Sequence, residues 1–201
     1  MTNTARLRTI RLAAAALVAV ACGKKDDSSK TTGGSNAVST DTTAMTASST
    51  TSGAWTDANI LALLDEANMA DSASGSLAAT KGTSSAVRDF GKRMVRDHHG
   101  LRSHGEILAK KLSITPSPPS DDPLASDVQK YAQTLASTAK GKDFDRAYTD
   151  GEVDMHKKVL GVVTKAMNQA QSTELKNLIQ KAAPLIVGHL DLAESIQKNL
   201  K

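Results

Sequence analysis

Five residues that could hold a metal ion lie on four helix-forming segments: Asp71, Asp97, His98, His156 and His189. Steps of three and four residues place all of them except His98 on otherwise apolar stripes, which are the sides that bundled helices turn toward one another. His98 directly follows Asp97 and flanks its stripe. A charged or polar group on a buried stripe is costly unless it is paired or bound. Its repetition on four helices predicts one shared site in the core.

Two interpretations of this site remain open. It is either a metal or redox centre inside a bundle or a buried, hydrogen-bonded polar layer that fixes the register of the helices. Histidine-rich ligation suits zinc or copper better than iron, and the Glu-x-x-His pattern of di-iron bundles is absent from the sequence. Met94 and Met155 lie near the histidines and could assist copper(I), although methionines at helical spacing usually fill cores.

The neighbouring polar residues receive separate predictions. His104 falls on the same apolar stripe as Asp97 and is expected to be a hydrogen-bonded core histidine, or alternatively a fifth ligand. His99 is expected to face solvent. Glu152 and Asp154 are expected on a solvated face, with the alternative that Glu152 orients a ligand histidine one turn away. The sequence shows no nucleophile–base pair and no phosphate-binding glycine loop, so whether the protein is an enzyme stays open.

The apolar spacing predicts an all-α chain. Long helices are expected at about 55–82, 85–112, 144–170 and 172–200, with one short extra helix at about 124–139. Four prolines within residues 113–123 exclude a helix there and predict a crossover between the two halves of a four-helix up-down bundle. Pro184 is expected to kink the last helix one turn before His189. His156 and His189 are equally far from the turn at about residue 171, so an antiparallel pair places them level.

The first residues predict export. Three arginines precede an apolar run at residues 12–21, which is too short to span a bilayer and is typical of a secretory signal. The sequence around Cys22, Ala-Val-Ala-Cys-Gly, resembles the lipobox of bacterial lipoproteins, in which cleavage leaves a lipidated cysteine at the new N-terminus. This resemblance implies a signal peptide at 1–21, a lipid anchor at Cys22 and, since Gly23 follows, an outer-membrane location. The alternative is an ordinary signal peptide that is cut elsewhere.

Composition separates a tether from a folded domain. Residues 22–54 are rich in serine, threonine and glycine and are expected to form a disordered tether, whereas residues 55–201 carry the apolar stripes. The chain has a formal charge of +4, but its basic excess is concentrated before residue 55. The domain therefore lacks the basic face and interleaved aromatics of a nucleic-acid-binding protein. Cys22 is the single cysteine, which excludes a disulfide or a thiolate metal site within the domain.

Several motifs together resemble a known family. In chain order they are Ala70-Asp71-x-x-x-Gly75-x-Leu77-Ala78, Val87-x-x-Phe90-x-x-x-Met94-Val95-x-Asp97-His98, Phe144-Asp145-x-x-Tyr148 followed by His156, and Pro184-x-x-x-x-His189-Leu190. They are similar to a bacterial family of predicted secreted or outer-membrane proteins, described only as a domain of unknown function with a ferritin-like four-helix bundle. The resemblance implies that fold for residues 55–200 and brings no established reaction.

These observations predict an exported, periplasm-facing outer-membrane lipoprotein. Its membrane contact is the lipid anchor at Cys22, and its helical bundle is expected to bind a zinc, copper or iron ion through the core histidines and aspartates. The alternative function is that of a non-catalytic structural or partner-binding envelope lipoprotein whose core carries only a polar layer.

Overall fold

The computed structural model describes residues 53–200, which form five α-helices and the turns between them. Their bounds are Asp57–Lys81 (α1), Ser85–Lys111 (α2), Ala125–Ser137 (α3), Lys142–Gln169 (α4) and Thr173–Asn199 (α5). Residues 53–200 contain no strand. The prediction of an all-α bundle with a proline-containing crossover and one short extra helix is confirmed.

Side-chain caps fix the ends of the helices. Thr56 and Asn59 form a capping box at the start of α1, in which each side chain accepts a hydrogen bond from the other's backbone N–H. The Ser172 hydroxyl accepts from Leu175 N–H at the start of α5. These caps satisfy backbone groups that a helix leaves unpaired at its N-terminus.

Two carboxylates tie the halves of the bundle together at opposite ends. Asp145, at the start of α4, accepts hydrogen bonds from the backbone N–H groups of Thr83 and Ser84 in the α1–α2 turn. Asp57, at the start of α1, accepts from the backbone of residues 171 and 172 in the α4–α5 turn. Consequently α4 runs antiparallel to α1 and parallel to α2, so the segment containing α3 is a long crossover, as in bundles with a single crossover connection.

The core consists of two apolar clusters with a polar layer between them. One cluster, near the start of α1 and the end of α4, includes Ile60, Leu63 and Leu175. The other, near the start of α2 and the end of α5, includes Phe90 and Tyr148. Each of the four long helices has a buried polar residue between the residues of the two clusters: Asp71, His98, His156 and His189. The fold therefore brings the polar interruptions of all four stripes to one level.

Glycines allow α1 and α2 to pack closely beside this layer. A Cβ added to Gly75 would lie 2.7 Å from the Gly91 carbonyl oxygen, and one added to Gly91 would lie 2.5 Å from the Gly75 oxygen. Larger residues at either position would push the helices apart, because real Cβ atoms do not approach that closely. The close crossing places the α1 and α2 side chains of the polar layer within contact distance.

The last helix, the absence of membrane-spanning helices among the described residues and the N-terminal segment complete the description. Helix α5 continues across Pro184 to Asn199. None of the helices within residues 53–200 combines the length and the apolar character that a bilayer span requires. The predicted signal peptide at 1–21, the lipidated Cys22 and most of the tether at 22–54 lie outside the described residues.

Candidate metal centre

Three buried histidines converge from three helices. His98 on α2, His156 on α4 and His189 on α5 are each no more than 2% exposed. Their ring centroids are 5.0–5.8 Å apart, and each offers a ring nitrogen within 4.8 Å of a nitrogen from the other two. His98 Nε2 and His189 Nδ1 are 3.2 Å apart. We call these three residues the histidine cluster.

Hydrogen bonds on the outer side of the cluster fix the tautomers of the rings. His98 Nδ1 lies 2.9 Å from Asn68 Oδ1, while the Asn68 amide NH₂ donates to the Leu64 carbonyl. Because the amide oxygen can only accept, the His98 proton is on Nδ1 and its Nε2 carries a lone pair.

The Asp97 carboxylate fixes the tautomer of His189. The Asp97 Oδ2 atom lies 3.0 Å from His189 Nε2, and Arg96 donates to the other carboxylate oxygen at 2.8 Å. Partial burial raises the pKa of Asp97, but the hydrogen bonds from His189 and Arg96 outweigh it and leave the pKa below its usual value. The ionised carboxylate accepts the Nε2 proton of His189, so Nδ1 is bare and points into the cluster.

His156 uses a backbone acceptor. Its Nδ1 donates to the Glu152 carbonyl oxygen, one turn earlier on α4, at 2.9 Å. Its Nε2 atom is buried and has no hydrogen-bond partner in the described part of the chain. A buried nitrogen without a partner costs free energy unless something binds it.

The three tautomers together create a set of inner lone pairs. The outer acceptors assign the ring protons outward, and in this assignment the inner nitrogens of His98 and His189, 3.2 Å apart, both carry lone pairs. Two nitrogen ligands of a tetrahedral ion with metal–nitrogen bonds of about 2.0–2.1 Å are about 3.3 Å apart. Without an ion, two lone pairs at this distance repel each other. With an ion between them, the same distance between the two nitrogens is the one that tetrahedral coordination requires.

The cluster is held in the neutral form that binds metals. Burial, together with the neighbouring His189 and His156, lowers the pKa of His98 to about 3. Burial and His189 lower the pKa of His156 to about 4. Burial also lowers the pKa of His189, although Asp97 opposes the shift. At neutral pH all three imidazoles are therefore uncharged, as coordination requires.

A carboxylate pair lies on the α1–α4 side of the cluster. Asp71 and Glu152, 3% and 0% exposed, form a second group with His156 in which ligand atoms lie within 4.8 Å of one another. Ser74 and Tyr131 hydroxyls lie 2.6 and 3.0 Å from Glu152 Oε1. Burial raises the pKa of Glu152 to about 7, although these two hydrogen bonds lower it. Burial and the neighbouring Glu152 raise the pKa of Asp71 well above its usual range.

An apolar cavity of about 120 Å³ reaches the other side of the centre. Asn68, Asp71 and His98 line it together with aliphatic residues from α1, α2 and α5. Asp65 and Arg102, which also line the cavity, form a half-exposed ion pair at 2.7 Å. Small molecules that enter this cavity would meet the outer edge of His98 rather than the inner nitrogens.

The structure brings four of the five predicted site residues into direct proximity and gives the fifth a different place. His98, His156 and His189 form the cluster, and Asp71 lies 3.4 Å from His98 Nδ1 in the carboxylate group. Asp97 contacts only the outer nitrogen of His189 and does not join either group of ligand atoms. Its position fits an orienting residue rather than a ligand.

Two predictions about α2 were wrong for one reason. The buried stripe passes through His98 instead of Asp97, and His104 is exposed rather than a core residue. At 100° per residue, Asp97 and His104 lie at one edge of the predicted stripe, whereas the buried face runs through Val87, Met94 and His98. By contrast, the predicted exposure of His99 is confirmed.

Glu152 was also misplaced by sequence reasoning. It is fully buried and not on a solvated face, whereas Asp154, two residues later, is exposed as predicted. The stripe of α4 is wide enough to bury both Glu152 and Val153. Glu152 lies beside His156, with Oε2 3.4 Å from Nδ1, which agrees with the alternative prediction of an orienting partner.

Sequence reasoning missed the residues that hold the ligands in place. Asn68, Ser74 and Tyr131 are ordinary polar residues in the sequence, and only the packing shows their roles. One signal was available for Tyr131: Gly151 on α4 has no side chain because the Tyr131 ring occupies the space where a Cβ would lie. A glycine in mid-helix without a turn points to such a close approach.

Comparison with known proteins places the chain in a family. Residues 41–196 match the family described as "Domain of unknown function (DUF4142)". The chain belongs to this family. The resemblance drawn from the sequence motifs is thereby confirmed at the level of a family of unknown function.

One solved structure has a similar fold, and no curated protein matches. This structure is described as "CopM in the Cu(II)-bound form". The two folds align with a TM-score of 0.58 at 10% sequence identity, covering 74% of this chain and 99% of that one. At this identity the likeness shows a shared helical fold.

Proposed function

We propose that the bundle binds a copper(II) or zinc(II) ion through His98 Nε2, His156 Nε2 and His189 Nδ1. The observation that carries this proposal is the set of three outer acceptors, which assigns the ring protons outward and leaves one bare nitrogen on each of three clustered histidines. A polar layer that served only to fix the helix register would be expected to place a proton between His98 and His189. The acceptors Asn68 and Asp97 on the outer sides of these two rings assign no proton there.

The donor set supports copper most and zinc next. Neutral imidazoles suit both ions, and divalent copper exceeds zinc in affinity for a given nitrogen site. The similarly folded CopM was solved in a Cu(II)-bound form. Iron, the third possibility from the sequence, is supported less because the cluster itself contains no carboxylate. Copper(I) is supported less as well, since three imidazoles form the ligand group and copper(I) prefers soft sulfur ligands.

Metal titration with a matched pair of variants tests the proposal. The metal-free protein is titrated with copper(II) or zinc(II) in a competition assay with a chromophoric chelator. The unaltered protein should bind one equivalent tightly, His98→Ala should lose this binding, and the adjacent exposed His99→Ala should keep it. A protein that binds neither ion stoichiometrically, or His98→Ala with unchanged affinity, would favour the alternative of a partner-binding bundle with a polar core.

We also propose that the protein is exported and anchored by a lipid at Cys22. The apolar run before this residue and the surrounding lipobox-like sequence support this proposal. The tether at 22–54 would then hold the bundle away from the periplasmic face of the outer membrane. Cys22→Ser should move the protein from the membrane fraction to the soluble periplasmic fraction. If it still sediments with membranes, lipidation at this cysteine is not the anchor.

A further inference from the structure

We propose a second cation site beside the histidine cluster, in which Asp71 and Glu152 bind a hard divalent ion such as Mn²⁺. This site goes beyond the copper or zinc site and rests on its own contacts, although the two share a border at His156. Both carboxyl groups are almost completely buried, and their ion-pair contacts within residues 53–200 are to histidines alone. Burial favours the protonated form of both carboxyl groups, so an ion that binds them must displace a proton, as ligation of a metal commonly does.

One oxygen atom is free and directed at the proposed site. Glu152 Oε2 is buried and has no hydrogen-bond partner among the described residues. It lies 3.4 Å from His156 Nδ1, and ligand atoms of Asp71, Glu152 and His156 are within 4.8 Å of one another. Two ligands of one ion at bond lengths of about 2.1 Å are separated by about 3.0–3.4 Å. The Asp71 and Glu152 oxygens, which lie within 4.8 Å of each other, are close to this spacing, whereas His156 Nδ1 carries a proton and is not a ligand.

Neighbouring hydroxyls orient Glu152 so that Oε2 stays free. The Ser74 hydroxyl contacts Oε1 at 2.6 Å from α1, and the Tyr131 hydroxyl contacts the same oxygen at 3.0 Å from α3. Both contacts are to one oxygen, which fixes the carboxylate plane and turns Oε2 toward Asp71 and His156. Such outer hydrogen bonds commonly hold a metal-binding carboxylate in position.

The donor atoms distinguish this site from the histidine cluster. Carboxylate oxygens suit manganese, magnesium or calcium, whereas imidazoles suit copper and zinc. His156 can contribute Nε2 to the cluster while its Nδ1 edge faces Glu152 Oε2. The two sites therefore favour different ions, and filling one does not require the ligand atoms of the other.

A groove between α1 and α3 offers a route to this site. Its volume is about 660 Å³, and both Ser74 and Tyr131 line it. The residues that orient Glu152 thus separate the carboxylate pair from solvent. We therefore expect a hydrated ion to approach the carboxylate pair from this groove, past these two side chains.

Manganese binding to zinc-loaded protein tests the second site. One equivalent of zinc occupies the histidine cluster, and Mn²⁺ is then titrated while electron paramagnetic resonance follows the free ion. The unaltered protein should bind one Mn²⁺ without releasing zinc. Glu152→Gln should weaken Mn²⁺ binding at least tenfold with zinc retained, and Asp154→Asn, an exposed residue two positions away, should bind like the unaltered protein. Asp71→Asn serves as a second variant if Glu152→Gln lowers the helix content seen by circular dichroism.

The two proposals fail in distinguishable ways. Zinc binding with no Mn²⁺ binding, or Glu152→Gln that binds Mn²⁺ normally, overturns the second site alone. His189→Leu removes a cluster ligand and none of the carboxylates, so it should lose zinc and still bind Mn²⁺. If His189→Leu loses Mn²⁺ as well, the manganese occupied the histidine cluster and the second site is wrong.

Discussion

Replacing His156 and His189 together by leucine should separate metal binding from core packing. In the metal-free protein the exchange removes the hydrogen bond between His189 and Asp97, worth about 1.5–3 kcal/mol because one partner is charged. Asp97 keeps its contact with Arg96 and remains partly exposed, so its carboxylate is not stranded. Each buried leucine contributes about 1.5–3 kcal/mol of apolar transfer free energy. When the lost hydrogen bonds of His189 and His156 are set against the gain from two leucines, the metal-free protein should be destabilised by no more than about 2 kcal/mol, and good packing of the leucines would stabilise it.

The metal-loaded proteins should differ much more. An ion that binds the folded chain stabilises it by about 4.1 kcal/mol when its free concentration is 1,000 times Kd. For a protein of this size, about 2–4 °C of Tm correspond to each kcal/mol. Copper(II) at that concentration should raise the Tm of the unaltered protein by roughly 8–16 °C. The double leucine variant, which lacks two of the three ligand nitrogens, should show no rise.

Thermal unfolding with copper(II) and with a strong chelator measures both effects. A double variant with His99 and His104 replaced by leucine removes the same number of imidazoles from exposed positions, and it should keep the copper-dependent rise. Two results would refute the reasoning. The first is a metal-dependent rise in the double core variant, and the second is a core variant that is destabilised by far more than 2 kcal/mol without metal.

Three further predictions concern the surroundings of the cluster. Asp97→Asn should lower copper affinity about 10–100-fold in chelator competition, because the charged partner that orients the His189 imidazole is lost. An unchanged affinity would argue against this role of Asp97. Gly151→Ala should destabilise the protein by about 1–3 kcal/mol in urea unfolding, because the added methyl group would collide with the Tyr131 ring. Gly161→Ala adds a methyl group in open space and should leave the stability unchanged. The buried histidines bind fewer protons when folded than when unfolded, so metal-free stability should fall as pH drops from about 6.5 toward 4. Glu152, with its pKa raised to about 7, opposes this trend, and Glu152→Gln should make the fall steeper in pH-dependent unfolding.

The helices could be predicted from the sequence because their signals are local. Apolar spacing, the proline-rich segment and the caps all depend on residues a few positions apart, and the observed helix bounds agree with prediction to within a few residues. The level pairing of His156 and His189 could also be predicted, since it depends only on counting residues from a short turn. Their ring centroids are 5.6 Å apart.

The finer assignment of the site could not be predicted, because it depends on rotation about each helix axis. Asp97 and His98 are neighbours in the sequence, and a rotation of about 100° decides which of them faces the core. The close packing of Gly75 against Gly91 fixes that rotation, and it is a contact between two helices. The burial of Glu152 likewise depends on Tyr131, which belongs to a helix outside the four-helix pattern.

The position of the centre between two apolar clusters predicts that the proposed metal binding is reversible. Zinc fingers are unfolded without their ion because the metal supplies most of their folding free energy. Here the apolar clusters above and below the polar layer pack all four long helices independently of any ion. Asn68, Asp97 and the Glu152 carbonyl already orient the three rings, so binding requires little rearrangement. A fold that is stable without its ion and pre-organised to accept it suits a protein that takes up and releases metal better than one that uses metal as a structural support.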